Sequence, residues 1–565
     1  MRYQIVALDY DGTIAHHGKV AEETIEALRQ LKASKRKIML VTGRELDEIK
    51  SLFPEHTLFD SIVAENGALI YNPATLEERL LGEKPPESFL QDLKRHDVWP
   101  LSIGRVIVAT WEPHHHKVLE AIKRSGIERQ VIFNKGAVMV LPAGINKAKG
   151  LSCVLEKLNF SMHNVVAIGD AENDSAMLQA AECAVVVQNA LPALKQTAEW
   201  VTKADHGDGV IELVAQLLKD DLAGLDPKLE KHYLDFGKKF NGDDFKIAPY
   251  RNGILLAGES GGGKSTLTTF FSESLIGKQY QFCLVDPEGD YTELKGTVTS
   301  GDAKNLPIME EIIKLLQNPL QNVVVNTLAI PLHDRPEFFN KLLAALLELR
   351  TRFGHPHWFI FDEAHHLIPK GAASSFFNLP ADLNNFMLVT TEPGLINSSI
   401  ISLTDLMIVI GNEPENIFKQ YADLKKISAP HISIKTLSKG EAWIWEKDKA
   451  FPIRIEKPAQ LMLRHKKKYA TGDMQDDSFY FRGPGKKLNL KANNLMTFIQ
   501  MAEGVDDDTW MYHFGNKEYS HWFRNAIHDE ELADAAEKIE DRETDPAKSK
   551  GAILTLVKER YTAPA

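Results

Sequence analysis

The sequence predicts an α/β chain: a doubly wound parallel sheet with a small α+β insert, a second α/β unit, and a small, mainly helical C-terminal part. Three observations predict it. Short apolar strands alternate with helical segments. Acidic and hydroxyl residues recur where those strands end. A glycine-rich loop follows one apolar strand and opens a helix. The 565 residues accommodate three or four domains of roughly 150 residues each. The boundaries read as 1–222, with the insert at about 84–143, then 228–462 and 463–565.

Composition excludes several classes. The hydrophobic share of 44% is that of an ordinary globular protein. The net charge of -12 argues against a surface built to hold nucleic acid. Cys153, Cys183 and Cys283 stand at no metal-ligand spacing and fit a reduced, cytoplasmic protein. No apolar run approaches the roughly 18 residues of a membrane span, and the N-terminus lacks the layout of a signal peptide. A cytoplasmic chain without a membrane partner is therefore expected.

In the first unit, "YQIVALDY" reads as a buried strand, "AEETIEALRQLKAS" as a helix and "KIMLVTGR" as a strand ending in Thr42, Gly43 and Arg44. "NVVAIGD" is a further strand, ending at Asp170. In such sheets the ligand crevice lies at the carboxyl ends of the strands. Asp9, Asp11, Thr42, Asp170 and Asp174 all fall at or just beyond those ends. The pair in "DYDGT" also suits an ordinary polar turn, but a turn alone does not predict the recurrence elsewhere. Clustered carboxylates can hold Mg2+, a hard cation that takes oxygen ligands. One carboxylate beside it can attack phosphorus to form an aspartyl-phosphate. A second, two residues on, can protonate the leaving oxygen and then activate water. Thr42 offers a hydroxyl to the non-bridging oxygens, and Lys147 in "PAGINKAKGL" an ammonium.

"DYDGT", "VTGR", "GINKAKGL" and "GDAEND" resemble, in order, the four motifs of the haloacid dehalogenase-like phosphatases, and "AENGALI" adds the signature of the capped, Cof-type branch. The resemblance covers about residues 1–220 and implies a Rossmann-like fold. It implies Asp9 as nucleophile and Asp11 as general acid and base. It also implies Mg2+ between Asp9, the Asp11 backbone carbonyl and Asp170, with Asp174 supporting the metal. Gly43 and Asn173 would help bind and orient the phosphate beside Thr42 and Lys147, and the family's spacing favours Lys147 over Lys149. The insert then becomes a small cap, which excludes water and sets specificity. It reads as helix "PESFLQDLKRH", strand "GRVIVATW", helix "HHHKVLEAIKRSG" and two strands through "FNKGAVMVLP". His114, His115 and His116 point to different helix faces and read as a solvated helix start rather than a metal site.

Residues 221–252 read as a linker or lead-in helix. "GILLAGESGGGKSTLTTFF" then places Gly258, Glu259, Ser260, Gly261, Gly262, Gly263, Lys264, Ser265 and Thr266 between a strand and a helix, which predicts a P-loop NTPase domain. The loop N–H groups would hold ATP phosphates, Lys264 would reach the outer ones and Ser265 would bind Mg2+. In "HWFIFDEAHHLIP", Asp362 would hold Mg2+ through water and Glu363 would polarise the attacking water, which favours ATP hydrolysis over transfer to a metabolite. His365 and His366 read as a polar helix start rather than a metal site. With "FCLVDPEGDYTEL", these motifs resemble the ring-forming HerA, FtsK and VirB4 ATPases over about 228–455. That resemblance implies a homo-oligomer, with a hexamer as its form, nucleotides near subunit boundaries and an arginine supplied by a neighbour. Thr390, Thr391 and Glu392 stand where a polar strand usually carries Gln, and Gly411 and Asn412 where an arginine is expected. These departures weigh against a DNA translocase. Arg350 and Arg352 are the candidates for the inter-subunit arginine, Arg352 the better one.

"RHKKKYATGDMQDD" marks a charge-rich boundary and reads as a solvated linker. Two helices, "ANNLMTFIQMAEGV" and "DEELADAAEKIEDRE", flank "TWMYHFGNKEYSHWF", whose aromatics suit either base stacking or a small helical core, the second being favoured. The segment resembles a small bacterial domain of unknown function. The expected function is a Mg2+-dependent phosphomonoesterase acting on a small phosphorylated substrate, fused to an ATPase that assembles or regulates it. The alternatives are a nucleic-acid end-processing phosphatase with a kinase or motor, and an ATP-controlled defence assembly.

Overall fold

The computed structural model describes residues 1–372, 376–377, 379–432, 437–455, 474, 478–527 and 529–561. Six parallel strands make most of the first sheet, in the order Trp200–Val201, Cys183–Val186, Val165–Gly169, Ile5–Leu8, Lys37–Val41 and Ser61–Ala64. Two antiparallel strands, Leu69–Asn72 and Glu77–Leu80, finish one edge. The central strands are continuous apolar runs because helices cover both faces. The strands at Ile5–Leu8 and Val165–Gly169 are adjacent and parallel, so Asp9 and Asp170 emerge side by side at one end of the sheet.

The insert is a four-stranded antiparallel sheet, ordered Ser102–Ile103, Val108–Trp111, Ala137–Pro142 and Arg129–Asn134. It has one more short strand than the sequence predicts. Helices Glu87–Arg95 and His115–Ser125 pack their Phe89, Leu93, Val118 and Ala121 on one face. On the other face Ile107, Met139 and Leu141 pack toward Ala68 of the main domain.

The second sheet has seven parallel strands, in the order Thr297–Ser300, Asn322–Asn326, Phe282–Asp286, Trp358–Phe361, Phe386–Thr390, Gly253–Ala257 and Leu406–Val409. Four antiparallel strands extend it. Two of them, Leu234–Lys239 and Asp244–Ile247, correct the expected linker or lead-in helix at 221–252. Leu234 and Phe236 are buried on alternate positions and Asn241-Gly242 makes the turn, so a period of two carries this segment. Most of the charge-rich 464–477 segment, and the 462/463 boundary, lie outside the described residues.

The C-terminal helices Leu495–Gly504, Asp507–Gly515, Glu518–Asn525, Glu530–Glu540 and Pro546–Tyr561 surround their own core. Trp510, Phe514, Tyr519, Trp522 and Phe523 are buried in it, with Trp510 stacked on Tyr519. Base stacking by these five rings is thereby excluded; Tyr512 is the exposed exception.

One continuous apolar core runs from Tyr3 to Ile453 through both sheets. Its polar counterpart centres on Glu182. The carboxylate accepts from Arg2 at 2.7 Å, Tyr280 at 2.9 Å and His163 at 2.6 Å, while its backbone carbonyl faces His232 at 2.9 Å. Burial opposes the charge on Glu182, but His163 and Arg2 hold its carboxyl well below the usual range. Asn164 donates to Gly354 and Gln4 to Thr351 across the same seam. Among the described residues no helix is long and apolar enough to cross a membrane.

Burial pushes His232 down from 6.5 to about 4 and His357 well below its ordinary value. The unfolded chain binds protons that these folded rings refuse, so stability falls as pH drops from 6.5 toward about 4. Melting curves across that window should steepen in this direction by up to about 1.4 kcal/mol per pH unit for each ring. His357→Gln should flatten the dependence, and an unchanged profile would remove His357 from the explanation.

Candidate active site

Four side chains named from the first unit, Asp9, Lys147, Asp170 and Asp174, meet in one place. Lys147, the first residue of helix Lys147–Leu158, is fully buried with its ammonium 2.5 Å from Asp9 Oδ1 and 2.6 Å from Asp174 Oδ1. Lys149 is exposed, and its backbone N–H is capped by the Asn146 side chain. Burial, reinforced by Asp174, raises the Asp9 carboxyl to about 7 against the pull of Lys147. Burial works against the Lys147 ammonium as well, yet Asp174 and Asp9 hold its pKa above the ordinary lysine value.

Asp174 uses both oxygens inside the protein. Oδ2 accepts the N–H groups of Asp170 and Ala171 at 2.9 and 3.0 Å, and Oδ1 accepts from Lys147. It therefore braces the loop after strand Val165–Gly169. Asp170 Oδ1 is buried without a hydrogen-bond partner, and oxygens of Asp9, Asp170 and Asp174 lie within 4.8 Å of one another. A buried orphan carboxylate oxygen among acidic neighbours fits a hard divalent cation held through Asp9 and Asp170.

Thr42 is buried beside this cluster and its hydroxyl accepts the Arg44 N–H. Asn173 donates to Asn66 and lies 3.4 Å from the point a Cβ on Gly43 would occupy. Asp11 is placed differently. Its carboxylate is held by Arg44 at 2.5 and 2.7 Å and is partly exposed, outside the buried network. Arg44 of "VTGR" thus anchors Asp11, a contact that no local spacing reports.

Two further residues were missed. Glu65 is buried and accepts the backbone N–H groups of Arg105, Val106 and Ile107 at 2.8, 2.7 and 3.0 Å. It pins the cap to the main domain. Lys135, at the tip of the cap hairpin, reaches Asp170 Oδ2 at 2.5 Å. The only signal for it was a lysine beside glycine between two apolar strands. Among the described residues one other compact acidic and histidine group exists, His163, Glu182 and His232, whose short contacts are the seam hydrogen bonds.

In the second sheet, the Gly258–Gly263 loop joins strand Gly253–Ala257 to helix Lys264–Gly277. Gly261 and Gly263 have φ of +78° and +103°. Lys264 folds back onto the Gly258 and Glu259 carbonyls at 2.9 and 3.1 Å. Asp362 is buried at the end of strand Trp358–Phe361 and raised well above its ordinary pKa by burial and Asp286. Glu363 follows with φ +40°, its carboxylate 3.4 Å from His365. Thr390 ends the strand between these two and receives the His365 ring at 3.2 Å. Asn412 holds the Glu259 side chain.

Arg350 is a correction. It is half-buried, with its guanidinium on the Pro356, Asn384 and His357 carbonyls and stacked on Phe359, so it is not available to a neighbour. Arg352 is exposed, but lies where the helix returns to the seam beside Phe353 and Gly354, at the opposite end of the sheet from the glycine loop.

The family model of haloacid dehalogenase-like hydrolases matches residues 6–103 and 100–214. The chain is 31% identical over 223 residues to a phosphoglycolate phosphatase of Methanothermobacter thermautotrophicus, covering 98% of that protein and 38% of this one. It is 26% identical over 234 residues to a 5-amino-6-(5-phospho-D-ribitylamino)uracil phosphatase of Bacillus subtilis, covering 94% of that protein and 37% of this one. A haloacid dehalogenase-like hydrolase from Bacteroides thetaiotaomicron, 20% identical, aligns with a TM-score of 0.34 over 38% of this chain and 99% of its own. The matches to the family and to these relatives support a phosphatase of the haloacid dehalogenase type. Through its first 215 or so residues, the chain belongs to the haloacid dehalogenase-like hydrolases.

Gly12 has φ +85°, and a Cβ there would lie 2.2 Å from Asp170 Oδ2. Gly12→Ala should therefore displace Asp170 and cost turnover at least about tenfold, since small misplacements at a reacting centre are expensive. Full activity in the folded variant would contradict this packing.

Proposed function

We propose that the first unit is a Mg2+-dependent phosphomonoesterase working through an aspartyl-phosphate on Asp9. The observation that carries the reading is the buried Lys147 between Asp9 and Asp174, next to the orphan Asp170 oxygen. Asp9 attacks the phosphorus and the P–O bond to the alcohol breaks, while Asp11 donates a proton to the departing oxygen. Asp11 then takes a proton from water as that water attacks the phosphorus, releasing inorganic phosphate and free Asp9. Asp11 does this after turning away from Arg44. Lys147, the Thr42 hydroxyl and Asn173 bind the non-bridging oxygens as charge develops, with the Gly43 backbone beside them. Mg2+, held by Asp9, the Asp11 carbonyl and Asp170, would supply charge neutralisation when bound. The pinned cap suits a small phosphorylated substrate.

We further propose that residues 228–462 bind and hydrolyse ATP, with Lys264 and the Gly258–Gly263 N–H groups on the phosphates, Ser265 and Asp362 serving Mg2+, and Glu363 orienting the attacking water. Support comes from the strand–loop–helix geometry and from Glu363 lying just past strand Trp358–Phe361, which a single strand, Phe386–Thr390, separates from the strand of the loop. Assembly of an ATP-controlled oligomer around the phosphatase remains part of this reading, without Arg350.

Asp9→Asn should lower hydrolysis of an aryl phosphate by at least about a thousandfold, since the nucleophile acts in concert with its partners. Chelation of divalent cations should stop the wild type and added Mg2+ should restore it. Undiminished turnover by Asp9→Asn would refute the site. For the second unit, Glu363→Gln should retain ATP and stall its cleavage, and equal ATPase rates in both proteins would remove the hydrolytic role.

A further inference from the structure

Glu363 stands on backbone that few side chains adopt. It follows strand Trp358–Phe361 and opens the short helix Ala364–Leu367 with φ +40° and ψ +50°. A residue other than glycine keeps this left-handed conformation where its surroundings hold it there. Here its N–H donates to Asp362 Oδ1 at 3.0 Å and its carbonyl accepts the His366 N–H at 2.8 Å. The turn brings His365 back against the acid. Its Nδ1 lies 3.4 Å from Glu363 Oε2 and 3.2 Å from the Thr390 hydroxyl. A polar helix start would leave this ring in solvent, yet the side chain is only 15% exposed.

Thr390 decides where the ring carries its proton. The Thr390 hydroxyl lies 3.2 Å from the Glu392 carbonyl and accepts the Glu392 N–H at 3.3 Å. A carbonyl can only accept, so the hydroxyl proton goes to Glu392 and the oxygen is left as an acceptor for His365. Nδ1 therefore carries hydrogen and faces both Thr390 Oγ1 and Glu363 Oε2. Burial, with His366 and Lys264 nearby, lowers the ring from 6.5 to about 4, so the donor is a neutral imidazole. The backbone carbonyl of Thr390 accepts the N–H of Gly258, the first residue of the glycine loop, at 3.3 Å. One threonine thus joins the loop to the imidazole that touches the acid.

We propose that His365 is a positioning residue for ATP hydrolysis: its Nδ1–H aims the Glu363 carboxylate at the attacking water, and Thr390 fixes the tautomer that makes this possible. The proposal rests on the ATPase reading of the second unit above. Glutamate has a flexible side chain, and a water-orienting acid works only when its carboxylate is held in one place. Held through Oε2, Glu363 keeps Oε1 for the water. His365 acts through Glu363 and makes no demand on the nucleotide itself.

In the full chain, His365→Leu should lower the kcat of Mg-ATP hydrolysis by about tenfold or more, the scale of a misplaced catalytic group. Binding of the β,γ-imido analogue of ATP should stay as in the wild type. His365→Asn should regain most of the rate, because its amide N–H falls near the place of Nδ1–H. In the Glu363→Gln background, adding His365→Leu should leave the residual rate unchanged, since residues that act as a unit are not additive. A melting curve like the wild type's shows that a variant is folded. Should His365→Leu not fold, Thr390→Val keeps the shape and removes the acceptor. It should lower kcat by about threefold or more, the scale of one neutral hydrogen bond, and Thr390→Ser should not. Equal losses in His365→Leu and His365→Asn would overturn the proposal, as would weakened analogue binding or a further loss in the Glu363→Gln background. If Glu363→Gln stalls hydrolysis while His365→Leu and Thr390→Val turn over at the wild-type rate, the inference alone fails. If the wild type hydrolyses no ATP, the ATPase reading fails with it.

Discussion

A buried ammonium held by two carboxylates is the constraint on which the phosphatase half depends. Lys147 sits at a helix N-terminus, where the macrodipole disfavours a cation, and it is fully buried. Neither circumstance is stable without Asp9 and Asp174. Breaking a buried ion pair by removing one partner costs about 3–5 kcal/mol, so the three groups are tied together. Asp174 passes the constraint on, since its other oxygen holds the N–H groups of Asp170 and Ala171. Gly169 must stay small for the same reason, because a Cβ there would lie 2.6 Å from the Asp174 carboxyl. One lysine thereby sets the positions of three aspartates drawn from two adjacent strands.

The second constraint is the seam between the sheets. Glu182 gathers Arg2 from the N-terminus, His163 from the first unit, His232 from the connecting segment and Tyr280 from the second sheet. A buried carboxylate with so many donors is costly to leave half satisfied. The two α/β units therefore share a core and a polar hub, unlike units strung on a loose linker. Any change in the second unit that moves Tyr280 or Lys278 meets the first unit at Glu182 and His163.

Much of this was legible in the chain. The strand ends at Asp9, Thr42 and Asp170 and the loop before Lys264 follow from short-range patterns, because parallel strands buried on both faces read as unbroken apolar runs. What escaped was set by long-range packing. The hairpin at Leu234–Ile247 hides among charges because one face of it is solvated. Arg350 looks available in sequence, yet the fold turns it onto three carbonyls. Lys135 and Glu65 act across the gap between cap and main domain, and no local spacing reports a contact of that kind. The helical C-terminal core was legible as helices, whereas burial of its aromatics depends on how those helices meet.

The central claim is that Asp9 carries the phosphoryl group during turnover. Acid quenching during hydrolysis of an aryl phosphate, borohydride reduction and peptide mass spectrometry test it directly, because reduction of an acyl phosphate converts aspartate to homoserine. The account predicts homoserine at position 9 and unchanged aspartate at 11, 170 and 174. Reduction at another residue, or turnover without any reducible intermediate under conditions where the intermediate accumulates, would contradict it.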